Sequence, residues 1–414
     1  MIRKTEGGVT AAKGFLAASC AAAIKYQGRD DMAMICSEVP CAVAGVFTSN
    51  RVKAAPVQWD MQIVRNRKSA QAVVVNSGIA NAATGEKGLA QCEETAARTA
   101  ELLQLPRDAV LVGSTGVIGP LLPMDRICSG IGMLAGALSS TAEAATAASR
   151  AIMTTDTVNK EFALTFDLPS ADGKSRVPVH LGGMCKGSGM IHPNMCTMLA
   201  YLTTDCAIDQ ALLQRALSEV VQDTFNMLSV DGDTSTNDTL LVLANGCAGN
   251  RAIAQEGADY GAFKEALYAL CREMTRAMAA DGEGATHLIE MRVRGADTKQ
   301  HARELAKSVV CSSLVKAMVF GGDANCGRIL CALGYAGVDF DPALPEVWLV
   351  GEKESICFYS GGAVLDFDEE TAARLMAAKE VRFDCDMHMG AEEATAWGCD
   401  LTHEYVTING DYRS

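Results

Sequence analysis

Basic residues are in deficit in this chain. Its 36 lysines and arginines face 50 aspartates and glutamates, a formal net charge of −14. That balance argues against a nucleic-acid partner and against an anionic membrane surface. Any anionic substrate then needs a locally placed Lys, Arg or helix N-terminus. Long apolar runs are missing too, and no stretch reaches the ~18 residues a membrane span needs. The six histidines (His180, His192, His287, His301, His388 and His403) show no i,i+3 or i,i+4 pairing and no H-E-x-x-H, so no metal site is legible. There is no G-x-S-x-G elbow, although a Ser–His–Asp triad is not thereby excluded. The 16 cysteines include no C-x-x-C pair. They stand singly in mostly apolar contexts, such as Cys20, Cys92, Cys271, Cys311 and Cys331, and read as buried reduced thiols. With a polar, strand-like opening over residues 1–8 and no signal peptide, the expectation is a soluble cytoplasmic protein.

What is present is enough for a large core. The 414 residues, 49% hydrophobic and 21% charged, suit two or three domains. Strand patterns cover 14–24, 32–37, 41–48 and 72–76, with a polar turn at 49–51. A helix over 89–105 stops at Pro106. A buried strand over 109–112 is followed by a glycine loop. Helices are expected over 141–153 with Thr141 as cap, and over 210–227 after Asp209. Others cover 261–279, 298–316 and 369–379. Strands are expected over 160–166, 177–182, 287–294, 347–350, 355–360 and 381–388. Without regular βαβ alternation, a layered α/β or α+β protein is favoured over a doubly wound one.

Several stretches carry polar chemistry. Gly113–Ser114–Thr115–Gly116–Val117–Ile118–Gly119 looks like a phosphate-cradling loop. It lacks both the P-loop lysine and the G-x-G-x-x-G spacing. It can still aim backbone N–H groups and the Thr115 hydroxyl at a developing negative charge, or simply be a glycine turn leaving a strand. Asp231–Gly232–Asp233–Thr234–Ser235–Thr236–Asn237–Asp238 fails as a calcium loop, having neither Gly at its sixth position nor Glu at its twelfth. A hydrogen-bonded loop shaping a pocket wall is the better reading.

The most informative stretch runs from Lys186 to Asp205. Lys186–Gly187–Ser188–Gly189–Met190, then Pro193–Asn194–Met195–Cys196–Thr197, form a glycine-loosened loop that enters an apolar, strand-like run. A small hydroxyl residue thus stands where irregular backbone meets a rigid element, which suits a nucleophile. It equally suits an ordinary β-forming threonine. Cys196 as nucleophile would need a paired base, and His192 reads as loop structure. If the peptide bond before Thr197 is cut, its freed α-amine can act as the base, and the threonine methyl holds the hydroxyl direction.

These motifs resemble those of the glutamate N-acetyltransferase family, the self-cleaving ornithine acetyltransferases of arginine biosynthesis. The Lys186–Asp205 stretch is similar to the family's self-cleavage signature. Supporting matches are Asn76–Ser77–Gly78–Ile79–Ala80–Asn81–Ala82, the 113–119 loop and Met153–Thr154–Thr155–Asp156–Thr157. Others are Ser229 through Asp238, Gly282–Glu283–Gly284–Ala285–Thr286 and the tail over 405–414.

The resemblance implies a layered αββα-like sandwich with an N-terminal-threonine nucleophile. It implies self-cleavage between Cys196 and Thr197 into an α chain (1–196) and a β chain (197–414, with the C-terminal α+β domain) that stay associated as α2β2. Thr197 would take acetyl from N2-acetyl-L-ornithine and pass it to L-glutamate through an acetyl-threonine ester. Thr115 and Gly116 match the oxyanion-hole pair. Thr154, Lys186, Thr197, Glu283, Asn409 and Ser414 match substrate-contacting positions, Lys186 suiting the α-carboxylate and Glu283 the δ-ammonium. No cofactor or metal is implied, and acetyl-CoA is left open as a second acetyl donor. Cys196 stands where the family usually has alanine, and Ala324 and Cys326 where it has proline and tryptophan. The rival readings are a related self-processing amidase or aminopeptidase, and an inactive small-molecule-binding protein.

Overall fold

The computed structural model describes residues 1–192 and 198–411; Cys196, Thr197 and Ser414 lie outside the described residues. In chain order the elements are β1 (Arg3–Thr5), β2 (Phe15–Cys20), β3 (Met32–Phe47), α1 (Ala55–Gln62), β4 (Ser69–Ile79), α2 (Gly85–Leu103), β5 (Val110–Val117), α3 (Met124–Ala137), α4 (Ala142–Ala151), β6 (Lys160–Pro169), β7 (Arg176–Lys186) and β8 (Leu199–Thr204). There follow α5 (Gln210–Val220), β9 (Leu228–Ser229), β10 (Thr239–Ala244), α6 (Ala258–Ala280), β11 (Leu288–Ala296), α7 (Lys299–Cys311), α8 (Ser313–Phe320) and α9 (Cys326–Gly334). The chain ends with β12 (Glu346–Val350), β13 (Ser355–Ser360), β14 (Ala363–Val364), α10 (Glu369–Met376), β15 (Glu380–Asp386), β16 (Glu392–Cys399) and α11 (His403–Gly410). They form two compact units, Met1–Gly187 with Asn194–Gln222 and Thr234–Met274, and Ser188–Pro193 with Asp223–Asp233 and Thr275–Ser414.

In the first unit the strands run in the order β1-β6-β7-β8-β10-β3-β4-β5, with β2 also paired to β3. The sequence pattern suggested two strands over 32–37 and 41–48, but they are one. The first half of β3 pairs with β2 and β4, and its second half with β10. The register with β4 slips between Cys36 and Cys41. Pro40 falls in that slip, where it needs no N–H to donate.

Period-two alternation then sorts the side chains into layers. Met32, Met34, Ala72, Val74, Val110 and Val112 face Cys92, Ala96, Ile127 and Ile131 of α2 and α3. Their neighbours Ala33, Ile35, Val73, Val75 and Leu111 meet Met184, Leu199, Tyr201, Leu241 and Leu243 of β7, β8 and β10. On the far side Phe166 of β6 packs on Phe263 of α6, ring centroids 6.4 Å apart. Gln214 of α5 bonds both the N–H and the carbonyl of Gly45. Helices thus flank two layers of one continuous sheet, in keeping with the αββα-like arrangement the resemblance implied. Each buried Val, Leu or Ile in these layers contributes roughly 1.5–3 kcal/mol.

One edge of this sheet is β5, and α1, an element the sequence pattern did not suggest, closes it. Trp59 Nε1 donates to Val110 O at 2.9 Å, and Asp60 Oδ1 accepts the Val112 N–H at 2.9 Å. Two consecutive side chains thus stand in for a missing strand, blunting an edge that would otherwise be open to other chains. Asp60 is fully buried and its Oδ2 has no partner. Burial pushes its carboxyl well above the usual range, against the bond from Val112.

The second unit is built on a sheet ordered β14-β13-β12-β15-β11-β16-β9. β11 lies between β15, which is parallel to it, and β16, which is antiparallel. α7 turns Ala302, Leu305, Ala306, Val309 and Val310 inward, and Thr298 caps it by accepting the His301 N–H. The expected helix over 298–316 is interrupted at Ser312, whose hydroxyl accepts the Val315 N–H and starts α8. Trp397, one of the largest buried side chains, donates from Nε1 to Glu290 at 2.8 Å. Among the described residues no helix is long and apolar enough to cross a membrane, and no cluster of metal-ligating side chains occurs. None of the fifteen described cysteines is in a disulfide. Burial raises most of their thiol pKa values, those of Cys20 and Cys185 to about 12.

A buried carboxyl whose folded pKa is raised is stabilising in its protonated form, and that contribution is lost as pH rises from the unfolded value near ~3.9. Asp60→Asn keeps an acceptor for Val112 without the charge. Its melting temperature relative to wild type should climb as pH rises above about 4. Asp60→Ala, which orphans the Val112 N–H, should cost about 1–3 kcal/mol. A difference between Asp60→Asn and wild type that ignores pH would show that burial does not govern this carboxyl.

Candidate active site

Polar groups of the first unit gather at the start of β8, the strand that follows Thr197. Leu199 pairs with Lys186 of β7 on one side and with Thr239 of β10 on the other. The Thr239 N–H donates to the carbonyl of Met198, the next residue after Thr197, at 2.9 Å. Two residues before Thr239, the Asn237 amide donates to Ala80 O at 2.6 Å and Ser114 O at 2.8 Å. The chain leaving Thr197 is therefore tied through β10 to the residue preceding Thr115.

Thr115 and Gly116 do not sit in a loop. β5 continues to Val117 and stays paired with β4, Ser77 opposite Thr115 and Gly78 opposite Gly116. The glycine motifs over 76–79 and 113–117 are thus partly strand, because each supplies the other's ladder. The polar side chains support that extension, Ser114 Oγ donating to Asn76 Oδ1 at 2.6 Å and Asn76 Nδ2 to Ile79 O at 2.9 Å. Gly116 has φ +128°, and a Cβ there would lie 2.3 Å from the carbonyl carbon of Gly78. Only glycine fits such a crossing.

A buried ion-pair group lies at the end of β7. Lys186 Nζ donates to Thr154 Oγ1 at 2.8 Å and stands 3.8 Å from Asp156. Asp156 also accepts Lys160 Nζ at 2.7 Å, the Gly187 N–H at 2.8 Å and the Thr154 N–H at 3.1 Å. Burial pushes the Asp156 carboxyl up. Lys186, Lys160 and the hydrogen bonds from Lys160 and Gly187 outweigh it, and the group stays well below the usual carboxylate range. Ser77, opposite Thr115, donates to Ala151 O at 2.8 Å, three residues ahead of Thr154. Thr154, Lys186, Thr115 and Gly116 accordingly belong to one neighbourhood of this unit.

The second unit holds its own pair. Asn409 Nδ2 of α11 donates to Glu283 Oε2 at 2.7 Å, and the Glu283 N–H donates to Ser188 O at 2.8 Å. Gly189 gives the Glu283 carboxylate its place, since a Cβ there would lie 2.2 Å from Oε2. His192 contacts Ser229 Oγ at 3.1 Å and Cys311 Sγ at 3.5 Å through Nδ1. Burial, then Lys307, lower its pKa to about 4. A neutral, packed imidazole agrees with reading it as loop structure.

Of the residues the sequence singled out, Thr154 joins Lys186, Thr115 adjoins Gly116, and Glu283 joins Asn409. The sequence reading missed Asp156, Lys160 and Asn237 as individual contributors. An Asp and a Lys four apart ordinarily signal a solvated helical pair. Here the span between them is irregular and the pair is buried, which no periodicity announces.

The ArgJ family model matches residues 16–414 of this chain. The chain is 51% identical over 413 residues to the arginine biosynthesis bifunctional protein ArgJ of Symbiobacterium thermophilum, covering 99% of both. It is 45% identical over 409 residues to the protein of that name from Caldanaerobacter subterraneus, again covering 99% of both. Among solved structures it is similar to the arginine biosynthesis bifunctional protein from Bacillus halodurans, at 42% identity and a TM-score of 0.49. That match covers 51% of this chain and 97% of the other. Motifs in order and relatives matched end to end give one conclusion: the chain belongs to the ArgJ family, acyltransferases of arginine biosynthesis.

Proposed function

We propose that the protein transfers acetyl from N2-acetyl-L-ornithine to L-glutamate through an ester on Thr197, after cutting its own chain between Cys196 and Thr197. The observation that supports this best is the gathering of Lys186, Thr154 and the Thr115–Gly116 strand end around the β8 start that follows Thr197. In maturation the Thr197 hydroxyl attacks the Cys196 carbonyl and the peptide nitrogen leaves. Water then hydrolyses the resulting ester, leaving a Cys196 carboxylate and a free Thr197 α-amine.

In turnover that amine takes the proton of the Thr197 hydroxyl as Oγ attacks the acetyl carbonyl. Thr115 and Gly116 stabilise the oxyanion by hydrogen bonding. The α-nitrogen of ornithine leaves with the proton, and acetyl stays on Oγ. The glutamate amine next attacks the ester, giving N-acetyl-L-glutamate and restoring the hydroxyl. Lys186, held by Thr154 and Asp156, pairs the α-carboxylate of either substrate, and Glu283 attracts the δ-ammonium of ornithine. Asn409 and Ser414 complete the substrate contacts. This route uses protein groups alone. We propose further that acetyl-CoA serves as a second acetyl donor and that the protein works as a cytoplasmic α2β2 assembly.

Intact mass measurement of the purified protein should give two fragments, starting at Met1 and at Thr197. Thr197→Ala should give one uncut chain of 43.6 kDa without transferase activity. Ornithine release from N-acetyl-ornithine should rise with added glutamate and match N-acetyl-glutamate formed. Release indifferent to glutamate would favour the amidase reading instead. Glu283→Gln, which keeps the shape and the Asn409 contact, should raise KM for N-acetyl-ornithine about tenfold, the loss of one charge-assisted contact. It should leave KM for glutamate unchanged or lower, because the tail carboxylate of glutamate is no longer repelled.

A further inference from the structure

The segment ahead of the scissile bond is gripped in the second unit by a carboxylate that the proposed chemistry does not use. Asp231 Oδ2 accepts the Met190 N–H at 2.6 Å, and Oδ1 accepts the Ile191 N–H at 2.9 Å. The Tyr405 hydroxyl donates to Oδ2 from the other side at 3.2 Å, and the Asp233 N–H reaches Oδ1 at 3.2 Å. The carbonyl of Ile191 in turn accepts the Val230 N–H at 2.7 Å, and the Ile191 side chain is fully buried. Next in line, His192 is packed between Ser229 and Cys311. Met190 meanwhile has φ +53°, a left-handed turn that costs a side-chain-bearing residue on the order of 1 kcal/mol and persists only where its surroundings enforce it.

We propose that Asp231 is a positioning residue for self-cleavage, a clamp that fixes the flank of the precursor before the cut site. The inference rests on the self-cleavage reading. Attack by a hydroxyl on the carbonyl just before it needs a near-attack conformer, and every loose residue beside that bond multiplies the alternatives. On the far flank, Met198 and Leu199 are held by β10 and β7. With the clamp in place, only residues 193–197 separate His192 from Met198. Without it, the flank beyond Ser188, whose carbonyl keeps its bond from the Glu283 N–H, is released from the carboxylate that holds the Met190 and Ile191 N–H groups. That flank contains Gly189, and glycine has the most conformational freedom to lose. Two parallel N–H bonds to one ionised acceptor suit this task, being directional as well as strong.

The test is the maturation rate of Asp231→Asn, an isosteric change that cannot accept both N–H groups as a carboxylate does. Freshly synthesised full-length precursor is followed on denaturing gels and by intact mass. Cutting should slow at least tenfold, while kcat per cut molecule, counted by acetylated Thr197, stays within about threefold of wild type. In the uncut Thr197→Ala background, Asp231→Asn should speed amide exchange at residues 189–192 and leave other segments unchanged. Tyr405→Phe, which removes one bond to the clamp and no backbone contact, should slow cutting about threefold and carries the test if Asp231→Asn fails to fold. Cutting at the wild-type rate in a folded variant would overturn the clamp, as would an equal loss in cutting and in kcat per cut molecule. If Thr197→Ala is itself cut after Cys196, the self-cleavage reading fails, and it fails separately from the clamp.

Discussion

A single buried carboxylate organises the lysine side of the candidate site. Taking the charge of Asp156 out of water costs several kcal/mol, and two ammonium groups and two backbone N–H groups offset that cost. The arrangement works in both directions, since Lys186 is held where its donor already bonds Thr154. Lys160 at 2.7 Å is the closer partner of Asp156 and Lys186 at 3.8 Å the looser one. Two ammonium groups thus stand at one carboxylate, a local placement of cations in a chain of net charge −14. Lys186 ends a strand, so its ammonium is positioned by the β7–β8 ladder more firmly than a loop residue would be.

The same rigidity extends to the glycine motifs. Strands β4 and β5 carry their pairing past the point where apolar alternation stops, so Thr115 and Gly116 are placed by a ladder. Sequence reasoning stopped at Val112, where the hydrophobic run ends. Partners outside a segment decide such an extension, and a period-two pattern does not contain them. Much else was legible. The caps Thr141 and Asp209 agree with the sequence reading, and the αββα-like layering with the family resemblance. The caps follow from side-chain chemistry, whereas the αββα order and the candidate residue set came from the family resemblance.

The parts that were not legible share a cause. Helix α1 has almost no amphipathic pattern, because its work is polar: Trp59 and Asp60 complete a sheet edge. Helix α11 shows no fully buried residue, yet it supplies Asn409 and Tyr405. Asp60, Asp156 and Asp231 would each be assigned to solvent by composition, and each instead accepts backbone N–H groups. Buried polar partners leave no periodic trace, since one carboxylate can meet donors from segments distant in sequence.

Asp156 and Asp231 solve related problems on consecutive stretches of chain. After β7 ends at Lys186, the backbone carries Gly187 and Gly189, and at Ile191 it is the carbonyl that meets a neighbouring segment, accepting the Val230 N–H. Glycine-rich chain loses the most entropy on ordering, and neutral acceptors return only about 0.5–1.5 kcal/mol per bond. Ionised acceptors contribute roughly twice that, and both stretches have one. In the first unit Asp156 takes the Gly187 N–H; in the second Asp231 takes those of Met190 and Ile191. The glycines are there for close approach, as at Gly189 beside the Glu283 carboxylate, and the aspartates restore the order that those glycines would otherwise forfeit.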